Sequence, residues 1–236
     1  MTPTQIPTPT AAPSRTVHCA DAIVWLKEPH DFAGCAFVTS LPDTSEIQSL
    51  TLEQWKAWFV EAAALVMEKT PRDSVAVFFQ TDIKVDGAWV DKGWLVQKAA
   101  DRLGMTLLWH KIACRKPPGT ITFGRPAYSH LLCYSMDLRV DLGRSSPDVL
   151  GDMGPSVWTR GMGLEACRLA CRFVKEQTVC RTVVDPFCGR GTVLAAANEQ
   201  GLDAVGVELA KKRARQAKAL TVAGVESAGH EDGSKQ

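Results

Sequence analysis

One stretch near the C-terminus, CRTVVDPFCGRGTVLAAANEQGLDAVGVEL at 180–209, constrains the fold of this chain more than any other. Its run at 182–184 is β-branched, which suits a buried strand, and Asp185 closes it. Two glycines, Gly189 and Gly191, then precede the apolar run TVLAAA, which has the composition of a helix. DAVGVE at 203–208 supplies a second strand. Strand, tight turn, helix and strand in succession form a βαβ unit, and such units build parallel sheets covered by helices on both faces. Only 51 residues follow Asp185. They have room for two helices and one strand, so the remaining strands are expected on the N-terminal side. The ligand-binding first strand then comes late in the chain, in circularly permuted order.

The earlier sequence supplies the missing parts. GCAFVTS (34–40), SVAVFFQ (74–80), MTLLWHKIAC (105–114) and AYSHLLCYS (127–135) are apolar runs of strand length. Thr51 and Gln54 form a capping-box pattern, and Trp55, Trp58, Phe59, Ala62, Ala63 and Val66 recur at helical spacing. Pro71 predicts an end near Lys69. Further helices are expected over 93–103, closed by Gly104, and over 164–175. Residues 81–93 read as a loop turning at Asp86 and Gly87. The expected fold class is therefore α/β: a Rossmann-like, mainly parallel sheet with helices on both faces. The expected organisation is one domain over 16–222, with disordered tails at 1–15 and 223–236 and a substrate loop over 137–157.

Composition narrows the function classes. Net charge is +1, the apolar fraction 45% and the charged fraction 22%, values of an ordinary globular protein. No global charge demands a nucleic-acid partner, although a neutral total accommodates a local basic patch. Eight cysteines occur without a CxxC pair, so they read as reduced thiols in a cytoplasmic protein, and no metal site is expected. No apolar run reaches the length of a membrane span, and the Pro/Thr-rich N-terminus lacks the apolar core of a secretory signal.

The glycine turn identifies a ligand site. Glycine lets a backbone approach a ligand closely, and ligands of open α/β sheets sit beyond the carboxyl ends of the strands. Asp185, Phe187, Cys188, Gly189, Gly191 and Thr192 are the candidates there. Glu208 ends the second strand, where a carboxylate accepts hydrogen bonds from the ribose hydroxyls of an adenosyl ligand. Dinucleotide sites use an acid at the same place. However, GRGTVLA lacks the third glycine of their fingerprint, and Asp185 before the turn repels a pyrophosphate while suiting a cationic ligand.

DPFCGRGTVLAAA resembles the DPFxGxGT motif of the permuted amino-methyltransferases, the group that contains the β-class DNA N4-cytosine and N6-adenine methylases. The resemblance spans most of 16–222. It implies an enzyme that uses S-adenosyl-L-methionine. It also implies that Asp21, in HCADAIVWL, lies near the adenine ring, and that Thr159, Arg160 and Gly161, in VWTRGMGLEACRLA, flank the methionine end. GCAFVTSLPD sits where the family carries its catalytic D/N/S-P-P-aromatic motif. Here the motif reads Ser40, Leu41, Pro42 and Asp43, so the aromatic residue that stacks on a target base is absent. The candidate catalytic groups are Asp43 as general base or acceptor for the target nitrogen, the Leu41 carbonyl and the Ser40 side chain, with Pro42 stiffening the loop. A plain strand-ending turn is the competing reading.

The segment 137–157 is short for a recognition domain of a restriction-type DNA enzyme. The expected partner is therefore RNA, with tRNA favoured, and methylation of a base nitrogen. DNA amino-methylation, a small-molecule or protein substrate, and a non-catalytic partner subunit are the alternatives, and a partner subunit or homodimer is allowed. Lys84, Lys92, Lys111, Arg115, Lys116 and Arg125 are candidate phosphate contacts and Trp89 and Trp94 candidate stacking residues, whereas Trp109 reads as core.

Overall fold

The computed structural model describes residues 12–140, 146–158 and 161–232, apart from the side chains of 229–232. The chain runs β1 (Arg15–His18), α1 (Ala22–Lys27), β2 (Cys35–Thr39), a short 3-10 turn (Thr44–Glu46), α2 (Leu52–Lys69) and β3 (Ala76–Gln80). It continues through β4 (Ile83–Val85), β5 (Ala88–Val90), α3 (Lys92–Leu103), β6 (Thr106–Cys114), β7 (Tyr128–Ser135) and β8 (Val149–Leu150). The last part is α4 (Leu164–Gln177), β9 (Thr182–Asp185), α5 (Thr192–Glu199), β10 (Asp203–Val207), α6 (Lys211–Ala219) and α7 (Val222–Asp232).

Eight strands form one sheet in the order β1-β10-β9-β2-β3-β7-β6-β8. All neighbours are parallel except β7, which runs antiparallel to both β3 and β6. Alternation along each strand divides its side chains between two cores. On β3 and the residue before it, Val75, Val77 and Phe79 face the layer of α4 to α7, while Ala76 and Phe78 face α1, α2 and α3. The Rossmann-like, mainly parallel sheet with helices on both faces is the fold class that the sequence implied. Strand β9, which leads into the glycine turn, comes late in the chain and lies mid-sheet, between β10 and β2, so the order is permuted.

Local chemistry explains the element ends. Thr51 and Gln54 make both bonds of the capping box on α2. Gly104 closes α3 in the left-handed region at φ 68°. Trp109 packs against the core with its ring edge-on to Phe173.

The structure differs from the sequence reading in three places. Ser14 and Arg15 belong to the sheet edge rather than a tail: Ser14 N donates to Asp203 Oδ1 at 2.6 Å, and the Arg15 guanidinium donates to Asn198 and to the Leu220 carbonyl. The stretch after Gln80 is a hairpin rather than a loop, because Asp86 and Gly87 both take positive φ, the geometry of a tight hairpin turn. A helix, α7, stands where a C-terminal tail was expected. Its Val225 is buried, and Arg168 of α4 ties Glu226 to the body. Val225 is the one buried side chain among those described on α7, too few for a helical repeat of apolar residues to show in the sequence. All eight cysteines are free, and no helix among the described residues is long and apolar enough to cross a membrane.

Candidate active site

Strands β9 and β2 are parallel neighbours from which the chain departs in opposite directions, β9 to β10 and β2 to β3. Such a switch opens a crevice beyond the carboxyl ends of the two strands. A cavity of about 350 Å³ occupies it, a size suited to a small-molecule ligand. Asp185, Phe187, Cys188, Gly189, Thr192 and Glu208 line one side and Ser40 to Asp43 the other.

Asp185 ends β9 and is buried. Its Oδ1 accepts from Thr39 Oγ1 at 2.6 Å and from Phe187 N at 3.1 Å. Burial nevertheless pushes the carboxyl up to about 7, with the charge of Glu208 acting in the same direction and the two hydrogen bonds opposing. The turn beyond it is locked by Cys188 N donating to the Val207 carbonyl and Gly191 N donating to the Cys188 carbonyl. Gly191 sits at φ 92°, and a Cβ there would lie 2.8 Å from Ala217 Cα. The position thus needs glycine for conformation and for space, and its place is against α6 rather than on the cavity wall.

Glu208 follows β10 and is buried. Its Oε1 accepts from Ala210 N at 2.7 Å and from Arg213 Nε at 2.9 Å. The Arg213 guanidinium in turn lies over the Trp158 ring. Asp21 caps α1 by accepting from Ile23 N and Val24 N, and it reaches the rim of the same cavity. Gly161 lines the cavity, while Thr159 and Arg160 fall outside the described residues.

On the opposite side, Ser40, Leu41 and Pro42 leave β2 along the cavity wall. Asp43 caps the 3-10 turn and forms a capping box with Glu46. Its carboxylate also meets Arg125 at 2.6 Å and Lys92 Nζ at 3.8 Å. These partners occupy the group that the sequence offered as a general base. Lys92 is itself buried, and desolvation lowers its pKa against the pull of Asp43.

Several cavity residues had no sequence signal as a set. Trp58 stands edge-on to Phe187, and Thr81, Lys92, Arg125, Trp158 and Arg213 join the wall from five separate segments. Beside Lys92 lies a polar relay: Asp82 accepts from Lys92 N, its other oxygen meets His130 Nε2 at 3.0 Å, and His130 Nδ1 meets His110 Nε2 at 3.0 Å. Asp82, Asp91 and His130 also hold ligand-type atoms within 4.8 Å of one another, a grouping absent from the sequence reading. Each of the three already has a hydrogen-bonding task in the relay or as the cap of α3.

A family model described as DNA methylase matches residues 177–219, the segment that carries the glycine turn and Glu208. TTHA0409 of Thermus thermophilus, described as a putative DNA modification methylase and crystallised with S-adenosyl-L-methionine, superposes with a TM-score of 0.68. It is 22% identical, over 89% of this chain and 94% of that one. The fold is that of the S-adenosylmethionine-dependent methyltransferases. The PvuII DNA methyltransferase, specific for cytosine N4, shares this methyltransferase fold at a TM-score of 0.66 and 14% identity, over 94% of both chains. M1.HpyAVI in complex with S-adenosylmethionine gives 0.55 and 14%, over 86% of this chain and 97% of that one. No curated protein matches the sequence.

Proposed function

We propose that this chain is an S-adenosylmethionine-dependent methyltransferase that modifies an amino nitrogen of a DNA base. One observation carries the reading: a single cavity at the sheet switch joins the DPFCGRGT turn and Glu208 on one wall to Ser40–Leu41–Pro42 on the other. The DNA methylase family match on the first wall supports the cofactor and the substrate class. RNA, and tRNA in particular, was the expectation from the short 137–157 segment. DNA replaces it because the family model and the PvuII neighbour are both DNA methylases.

The residues fit the cofactor. Two buried carboxylates, Asp185 and Glu208, face a partly apolar cavity from the ends of adjacent strands, an arrangement that suits a cationic ligand bearing a diol and repels phosphates. When bound, the cofactor supplies an electrophilic methyl group on a sulfonium. Glu208 would hold the ribose, Asp21 the adenine edge, and Asp185 with Gly161 the aminoacyl end. Ser40 and the Leu41 carbonyl would accept from the target amino group and hold its nitrogen toward the cofactor pocket, and the surplus proton of the methylated nitrogen would pass out to solvent. Proximity and alignment in a water-poor pocket account for most of the acceleration of such a displacement. Arg125 and Lys92 keep Asp43 in place, so that the loop carrying Ser40 and Leu41 is held at both ends.

Transfer of a labelled methyl group tests the assignment, with the intact protein offered DNA, tRNA and ribosomal RNA in separate reactions. Label in DNA, lost in Ser40→Ala while cofactor binding persists, is the expected result. Label confined to RNA, or wild-type turnover in Ser40→Ala, overturns it.

A further inference from the structure

Two loops flank the target side of the cavity, and both end in cavity residues. The β4–β5 hairpin leads into Lys92, and the β6–β7 connection carries Arg125; both side chains converge on Asp43. Four of the large apolar side chains that lie exposed are on these two loops or at the first turn of α3: Trp89 at 53%, Trp94 at 59%, Ile121 at 80% and Phe123 at 90%. Core packing does not account for side chains this open, and their place on two segments that lead into the same cavity points to a contact surface. Each tryptophan has a lysine at its ring. Lys84 Nζ lies 4.7 Å from the Trp89 centroid, and Lys98 Nζ lies 5.3 Å from that of Trp94. Lys84 and Trp89 are cross-strand partners and Trp94 and Lys98 are one helical turn apart, so both pairs are built by rigid elements rather than by chance loop conformations. Of the nearby carboxylates, Asp91 is engaged as the cap of α3 and Asp101 with Gln97.

We propose that these two loops form the nucleic-acid contact of the protein, and that the surface takes unpaired DNA strand in preference to duplex. This rests on the DNA reading above. In a duplex the base faces are already stacked on one another and only edges and backbone are offered, so an exposed indole face gains little there. An unpaired strand presents free base faces to Trp89 and Trp94 while its phosphates meet Lys84 and Lys98, the pairing of aromatic platform and cation found where single strands are held. Phe123 extends from the same loop as Arg125, placed to stack on the strand beside a target base that enters the cavity.

Fluorescence anisotropy with the full chain tests this, using one labelled oligodeoxynucleotide, the same strand annealed to its complement, and the same sequence as RNA. The free DNA strand is expected to bind most tightly. Trp89→Ala and Trp94→Ala are each expected to weaken it about five-fold or more, and Lys84→Gln to flatten the salt dependence. Cofactor affinity serves as the control and should be unchanged in all three variants. Wild-type strand binding in both tryptophan variants overturns the surface while leaving the methyltransferase reading standing, provided that DNA is still methylated. Tighter binding of the duplex or of the RNA overturns the preference. Neither binding nor methylation of any DNA removes both proposals together.

Discussion

Thr39 Oγ1 donates a 2.6 Å hydrogen bond to Asp185 Oδ1, joining the ends of β2 and β9 at the point where the sheet changes direction. The bond links the two walls of the cavity. Thr39→Val keeps the shape and removes one of the two donors that favour the ionised Asp185. Hydrogen bonds to charged groups are worth about 1.5–3 kcal/mol, so cofactor affinity at neutral pH should fall by about ten-fold or more. Titration calorimetry reads this directly, and an unchanged affinity would separate Asp185 from cofactor binding.

Asp185 also sets a pH dependence. Burial raises its carboxyl to about 7 in the folded protein, against an ordinary value of about 3.9 when the chain is unfolded. A cationic ligand prefers the ionised form, so affinity should rise by about ten-fold between pH 6 and pH 8 and then level off. The sign for stability is the reverse. Between the two pKa values the folded state holds a proton that the unfolded state has lost. This group's contribution therefore declines as pH rises through that window and is constant above it. Asp185→Asn should flatten both profiles, as measured by calorimetry and by denaturant unfolding at several pH values.

The Asp43 ion pairs make a graded prediction. Asp43→Asn leaves Lys92 buried without its closest carboxylate, whereas Lys92→Met leaves Asp43 with Arg125. Breaking a buried pair from one side costs about 3–5 kcal/mol, and the partial exposure of Arg125 places Asp43→Asn at the lower end, about 3 kcal/mol. Lys92→Met should cost less, and the double variant less than the sum of the two. Urea unfolding of the four proteins closes the cycle; additive losses would show that the pair is not coupled.

Gln80 ends β3 fully buried, and neither side-chain polar atom has a partner among the described residues. Burying an amide without partners costs about 1–3 kcal/mol. Gln80→Met, close in volume and apolar, should stabilise the protein by about 1 kcal/mol, seen as a higher melting temperature. A lower melting temperature would mean that water or a ligand satisfies the amide.

Much of this protein was written in local patterns. A β-branched run, two glycines and an acid at the end of the next strand announced a βαβ unit, because strand, turn and helix preferences act over a few residues. The late position of that unit implied the permuted order, since too little chain remained to complete a sheet. The capping box on α2 and the glycine at the end of α3 were equally local. Tertiary structure alone decided which wall faces which. Arg125 meets Asp43 across 82 residues and Thr39 meets Asp185 across 146. No periodicity encodes such pairs, because they arise only when the order of strands in the sheet brings distant segments to one edge. For the same reason Asp43 read as a free acid in sequence and is an ion-paired cap in the fold, and α7 read as a tail until Val225 and Glu226 found partners on the body.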